Sequence, residues 1–182
     1  MADPRVLVAG GSGYAGALAA RLVDRHPAFE LSAVTSRGDA GRPLSELYPQ
    51  HRVDAVLEQL DIEAHGDVDA AIVAYPHGAA APVVAALRER GARVVDLSAD
   101  FRLRDRPTYE RWYGDHGSPQ LFGDGVYGLS EVYAEQIARS DLVANPGCYP
   151  TATLLGLAPL ARSGTVLDVV IDAKSGVSGA GR

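Results

Sequence analysis

The chain contains one cysteine, Cys148, which follows Asn145-Pro146-Gly147 and precedes Tyr149-Pro150-Thr151. Pro-Gly makes a turn, and Tyr149-Pro150-Thr151 suits the first turn of a helix. A thiol at a helix N-terminus has its thiolate stabilised by the dipole and by free N–H groups. The same N–H groups could hold the oxyanion formed on attack at a carbonyl carbon. The plainer alternative is a buried, inert cysteine, the common fate of a single free thiol. Position favours the nucleophile, because turns at the ends of sheet strands are where α/β proteins bind ligands.

A second chemical signature lies near the start. Gly11-Ser12-Gly13-Tyr14-Ala15-Gly16 matches G-x-G-x-x-G, and Gly10 adds a further glycine in front of it. Such a loop lets the backbone turn tightly and approach a pyrophosphate, with a helix N-terminus behind it. The pattern alone is weak. Here it directly follows a buried apolar run and opens a helical stripe, the context that supports a dinucleotide site over an empty glycine turn. An NAD site would place an acidic residue at the end of the second strand, on the ribose 2′-hydroxyl. This chain has Thr35-Ser36-Arg37 there. A hydroxyl and a guanidinium suit a 2′-phosphate, so NADP(H) is the expected cofactor. Asp39 is expected to lie beyond the contact. A solvated surface arginine stays open as the alternative for Arg37 taken alone.

The elements that must position these groups follow from apolar periodicity. Arg5 to Ala9 reads as a strand buried on both faces. Ala15, Leu18, Ala19, Leu22 and Val23 form one helical stripe. Leu31 to Thr35 is a second strand. Residues 37 to 67 read as loop with one short strand at most. Ala70 to Ala74 is a strand, Ala80, Val83, Val84 and Leu87 a helix, and Val94 to Leu97 a strand. Short helices are expected at Tyr109 to Tyr113 and from a Ser130 cap to about Arg139. A strand at Leu142 to Ala144 delivers the chain to Cys148. A weaker stripe of Leu154, Leu157, Ala158 and Ala161 contains Pro159, which should kink its helix. Val166 to Ala173 is expected to be a strand.

The alternation argues an α/β class, a Rossmann-like doubly wound, mostly parallel sheet, with the beginning of a second α+β domain. The expected division is 1–164 for the cofactor domain, ending in the cysteine helix, and 165–182 for the start of the second.

The 182 residues are 47% apolar and 22% charged, with formal net charge -6. That profile is globular. Nothing is basic enough to track a phosphate backbone, so nucleic acid is not an expected partner. The short apolar run at Val6 to Ala9 is no signal peptide, and no stretch is long enough for a membrane span. A lone cysteine fits a reducing, cytoplasmic setting. No metal site is expected.

Six segments together resemble the N-acetyl-γ-glutamyl-phosphate reductases. They are the glycine loop, Tyr75-Pro76-His77-Gly78, Asp96 to Arg102, Tyr127 to Glu131, Asn145 to Thr151 and Ser175 to Arg182. The resemblance covers essentially the whole chain, and its Pro-Gly-Cys-Tyr-Pro-Thr segment is specific. Aspartate-semialdehyde dehydrogenase is similar more distantly. The resemblance implies an arginine-biosynthesis oxidoreductase in which the Cys148 thiolate displaces phosphate from an acyl phosphate. NADPH then reduces the thioester to the semialdehyde. It implies Arg102 as a phosphate holder, with a salt bridge to Asp100 or Asp105 as the equal alternative, and Ser98 and Asn145 beside it. It places Pro76, Ser178 and Gly179 near the cofactor, and gives His77 a structural or cofactor-contact role. His26, His51, His65 and His116 carry no motif and are expected to be solvated.

The family's general acid/base histidine is expected beyond Arg182, in a second domain that also helps make a homo-oligomer. The isolated chain is therefore expected to bind NADPH but to turn over poorly. An aminoadipyl-phosphate reductase, or an NADP-binding fragment without a complete active site, remain the alternatives.

Overall fold

The computed structural model describes residues 2–182. Seven strands form one sheet: β1 (Arg5–Ala9), β2 (Glu30–Thr35), β3 (Leu57–Glu58), β4 (Ala70–Val73), β5 (Arg93–Asp96), β6 (Val126–Tyr127) and β7 (Leu142–Ala144). Their order is β3-β2-β1-β4-β5-β7-β6, and every pair is parallel. The main crossover helices are α1 (Tyr14–Asp24) and α4 (Ala81–Glu89). The doubly wound expectation holds.

Alternation along β1 shows why both faces must be covered. Val6 and Val8 join one core with Ala17, Ala20 and Val23 of α1. Leu7 and Ala9 join the other with Ala81, Val84 and Leu87 of α4. A strand buried on both sides reads as an unbroken apolar run, which is how it stands in the sequence.

The expected α1 stripe is rotated. Its buried residues are Gly16, Ala17, Ala20 and Val23, while Leu18 and Leu22 are 46% and 63% exposed. The helix packs on its small residues because Gly16 lies against Gly10: a Cβ at Gly16 would run into the Gly10 carbonyl oxygen.

Residues 37 to 67 contain the one short strand, β3, and two four-residue helices, α2 (Leu44–Leu47) and α3 (Ile62–His65). Helices this short carry no readable period. α5 (Arg106–Tyr113) starts earlier than expected, because the Asp105 carboxylate accepts the Thr108 N–H at 2.9 Å and Pro107 fits the first turn. α6 spans Ser130–Arg139, with Leu129 rather than Ser130 at the cap position and no side-chain cap bond. α7 spans Cys148–Arg162 through Pro159 and has no buried residue.

The expected strand at Val166 to Ala173 is absent. Only a short 3-10 turn, Val177–Ala180, follows α7. Leu167 and Val170 are 98% and 94% exposed. Among the described residues no strand lies alongside this segment, and an extended segment without a partner has no ladder to hold it.

Candidate active site

The chain visits β1, β2 and β3 on one side, then crosses to β4, β5, β7 and β6 on the other. The switch between β1 and β4 opens a crevice at the carboxyl ends of the strands, where ligands bind in this architecture. The glycine loop lies at that point. The Gly10 and Gly11 N–H groups both donate to the Thr35 carbonyl, at 2.9 and 2.8 Å. Gly10 has φ +91°, a left-handed turn open to glycine. Gly13 caps α1 with no side-chain bond. The N–H groups of Tyr14, Ala15 and Gly16 are thus free at the start of the helix.

A cleft of about 540 Å³ sits over this loop, within the usual size of a small-molecule site. Its walls include Gly10, Ser12, Gly13, Ala15, Arg37 and Pro76. Bare glycine backbone, free helix N–H groups and a cation on one rim fit a dinucleotide phosphate. Gly11 and Gly16 support the loop from behind, and both are buried. Ala180, Gly181 and Arg182 close one side, whereas Ser178 and Gly179 are not among the lining residues.

Ser36 does not face the cleft. It is buried, its hydroxyl donates to Ser12 Oγ at 2.8 Å, and it accepts the Asp39 N–H at 3.1 Å. Ser12 therefore presents the hydroxyl and Ser36 orients it. Tyr48 adds a bond to the Ser12 carbonyl at 2.8 Å. Asp39 lies closer than expected, beside Ser12 and Gly13. Its carboxylate is held by Arg182 at 2.8 Å and Arg42 at 2.9 Å, which keep it below the usual carboxylate range.

β7 lies three strands from β1, about 14 Å across the sheet. Cys148 is exposed and is the first residue of α7, with Gly147 at the cap. Cys148 is thus not a buried cysteine. Pro150 has no N–H to offer, so Cys148 and Tyr149 carry the free donors of the first turn. The thiol opens on a depression of about 620 Å³ that also includes Asn145, Ser130, Glu131 and Thr151.

The segment after β5 supports that turn. Arg102 donates from Nε to the Asn145 carbonyl at 2.7 Å and from Nη2 to the Leu97 carbonyl at 2.8 Å. Its Nη1 lies beside Gly147. It makes no salt bridge with Asp100 or Asp105, so that alternative falls. Ser98 is buried, donating to Asp96 at 2.6 Å and accepting the Asp100 N–H at 3.0 Å. Burial pushes the Asp96 carboxyl above its usual range. Asp100, also buried, accepts from the Gly78 and Ala81 N–H groups and from Tyr109 Oη. It ties the Pro76-His77-Gly78 turn to the Arg102 segment. The Asn145 side chain bonds the Pro146 carbonyl at 3.1 Å.

His51 and His116 depart from their solvated expectation, while His26 and His77 do not depart from theirs. His77 Nδ1 accepts the Ala99 N–H at 3.0 Å, a structural role. His116 is buried and bonded on both nitrogens, to the Asp100 carbonyl and the Ser118 N–H. His51 is buried, which lowers its pKa. His65 bonds Glu58 at 3.0 Å. His26 and His77 are exposed, and His26 stacks on Phe29. Among the described residues no histidine lines the Cys148 depression. Sequence reasoning passed over Tyr75, Tyr48 and Glu131. Tyr75 and Glu131 stand inside two of the six family-like segments, but no chemical pattern marks them.

A larger depression of about 760 Å³ lies at the opposite edge, at the amino ends of the strands. There the Arg5 main-chain N–H bonds the Asp69 carboxylate, and Arg93 pairs with Asp141. Among the described residues no helix is long and apolar enough to cross a membrane, and no cluster of potential ligands could hold a metal.

Residues 5–140 match the family model for the semialdehyde dehydrogenase NAD binding domain. The chain belongs to the semialdehyde dehydrogenase family. Residues 148–182 match the semialdehyde dehydrogenase dimerisation domain. Curated relatives of this chain are named N-acetyl-gamma-glutamyl-phosphate reductase. The relative from Rhodopirellula baltica is 47% identical over 98% of the chain and 53% of its own length. That from Dehalococcoides mccartyi is 49% identical over 94% and 50%. The chain thus spans about half the length of the curated relatives it matches. In fold it is similar to aspartate semialdehyde dehydrogenase II of Vibrio cholerae, with TM-score 0.63 at 19% identity over 88% of this chain and 47% of that one. The NADP-bound aspartate semialdehyde dehydrogenase of Candida albicans gives TM-score 0.59 at 15% identity, over 91% and 49%.

Proposed function

We propose that this chain supplies the cofactor-binding and thiol-bearing part of an NADPH-dependent N-acetylglutamyl-phosphate reductase of arginine biosynthesis. The observation that carries the reading is Cys148, exposed at the first position of α7, on the same sheet edge as the glycine cleft. The names of the curated relatives support the substrate, and they favour it over aminoadipyl phosphate.

In this reading Cys148 Sγ attacks the acyl carbon of the substrate. The N–H groups of Cys148 and Tyr149 take up the oxyanion. The acyl–oxygen bond then breaks, phosphate leaves, and a thioester remains on Sγ. Bound NADPH supplies the hydride that brings the thioester to the aldehyde level. Return of the thiolate releases the semialdehyde. Arg102, with Nη1 not engaged by a carbonyl, attracts the phosphate while bracing the turn, and Ser98 and Asn145 fix the segments on either side. The backbone of residues 10 to 16 would hold the pyrophosphate, Ser12 and Arg37 would hold the 2′-phosphate, and Pro76 would border the nicotinamide. Residues 165–182 begin the second domain, and the matched dimerisation model supports a homo-oligomer. The setting is the cytoplasm.

The test is a rapid mix with N-acetylglutamyl phosphate in the absence of cofactor. A burst of inorganic phosphate equal to the thiol content is expected, and none in Cys148→Ser. A burst that survives Cys148→Ser, or one given only by aminoadipyl phosphate, would contradict the reading.

A further inference from the structure

We infer that Tyr75 positions Arg37, and so sets the preference for a 2′-phosphorylated adenine nucleotide over one without that phosphate. This rests on the NADPH reading of the cleft. The guanidinium carbon of Arg37 lies over the Tyr75 ring, 4.7 Å from its centroid. Both residues line the glycine cleft together with Ser12 and Gly13.

Three features make the pair a device for binding an anion. First, among the described residues no carboxylate pairs with Arg37. The nearby Asp39 is already bound by Arg42 and Arg182. The Arg37 charge is therefore not spent inside the protein. Second, the ring beneath it is fixed. Tyr75 is 7% exposed, and its Cδ1 would lie 3.1 Å from a Cβ built on Gly10. The platform is wedged against the glycine loop itself, so its distance from the phosphate-binding backbone is set. Third, a guanidinium stacked on an aromatic face keeps its N–H donors in its own plane. Their fork stays available to a phosphate, while the face is held by the ring quadrupole. An exposed arginine without that support would have to be ordered by the ligand. Tyr75 is thus a positioning residue that acts through Arg37.

The probes are 2′,5′-ADP and 5′-AMP, titrated calorimetrically against the chain, and the readout is the ratio of their affinities. Arg37→Ala should collapse the ratio. Tyr75→Leu should lower it by about 2- to 5-fold, the range of an exposed cation–π contact, while Tyr75→Phe should keep most of it. Replacing Tyr75 by pentafluorophenylalanine keeps the ring but reverses its quadrupole, and should lower the ratio as Leu does. That variant decides the matter if Tyr75→Leu does not fold. An unchanged ratio in the pentafluoro or Leu variant, with Arg37→Ala still collapsing it, would overturn the role of Tyr75. An unchanged ratio in Arg37→Ala would instead show that the 2′-phosphate reading of Arg37 is wrong.

Discussion

Arg102 donates to the main-chain carbonyl of Asn145 at 2.7 Å, three residues before Cys148. Its second bond, to Leu97, joins the exits of β5 and β7 through one side chain. Hydrogen bonds from a charged donor are the stronger kind, so Arg102→Ala should lower stability by about 2–3 kcal/mol with no anion present. Arg102→Lys should recover less than half, because one ammonium cannot reproduce the fork. Urea unfolding in anion-free buffer measures this. A residue that served the phosphate alone would leave that stability unchanged.

Gly16→Ala tests the close approach of α1 to the loop. Alanine is the better helix former by about 1 kcal/mol. Its Cβ would meet the Gly10 carbonyl, which is backbone and cannot rotate away. A net loss of about 1–2 kcal/mol is expected, with weaker NADPH binding as the loop shifts. A stabilised variant with intact binding would show that the contact is slack.

Asp96 gives a pH dependence with a definite sign. Burial raises its folded pKa, partly offset by the Ser98 bonds. Between the ordinary carboxylate value, about 3.9, and that raised value, the folded state holds the extra proton. Stability therefore falls as pH rises through the window. The unfolding free energy of the native chain minus that of Asp96→Asn should decrease over that range. A flat or rising difference would mean that Asp96 is ionised in the fold at no cost.

Local patterns made much of this legible. The glycine loop, the β1 run and the turn before Cys148 each depend on residues adjacent in sequence, and the structure forms all three. What could not be read depends on packing across the chain. Leu18 and Leu22 look like core residues by period, yet the small face of α1 wins because Gly16 allows a closer contact. His116 carries no motif, and only the meeting of Asp100 and Ser118 makes it a buried structural group. Arg102 can be seen as a cation in the sequence, but its carbonyl partners come from two different strand exits. Val166 to Ala173 has strand composition and no neighbour to pair with. Tyr75 gained meaning only when the fold set it under Arg37.

The reductase reading requires Cys148 to be the acyl acceptor. Its most direct test is intact and peptide mass spectrometry after a short exposure to N-acetylglutamyl phosphate, with acid quench and no cofactor. One N-acetylglutamyl group per chain is expected, located on Cys148, released by hydroxylamine and absent in Cys148→Ser. A folded chain that stays unmodified, or one acylated elsewhere with Cys148 free, would contradict it.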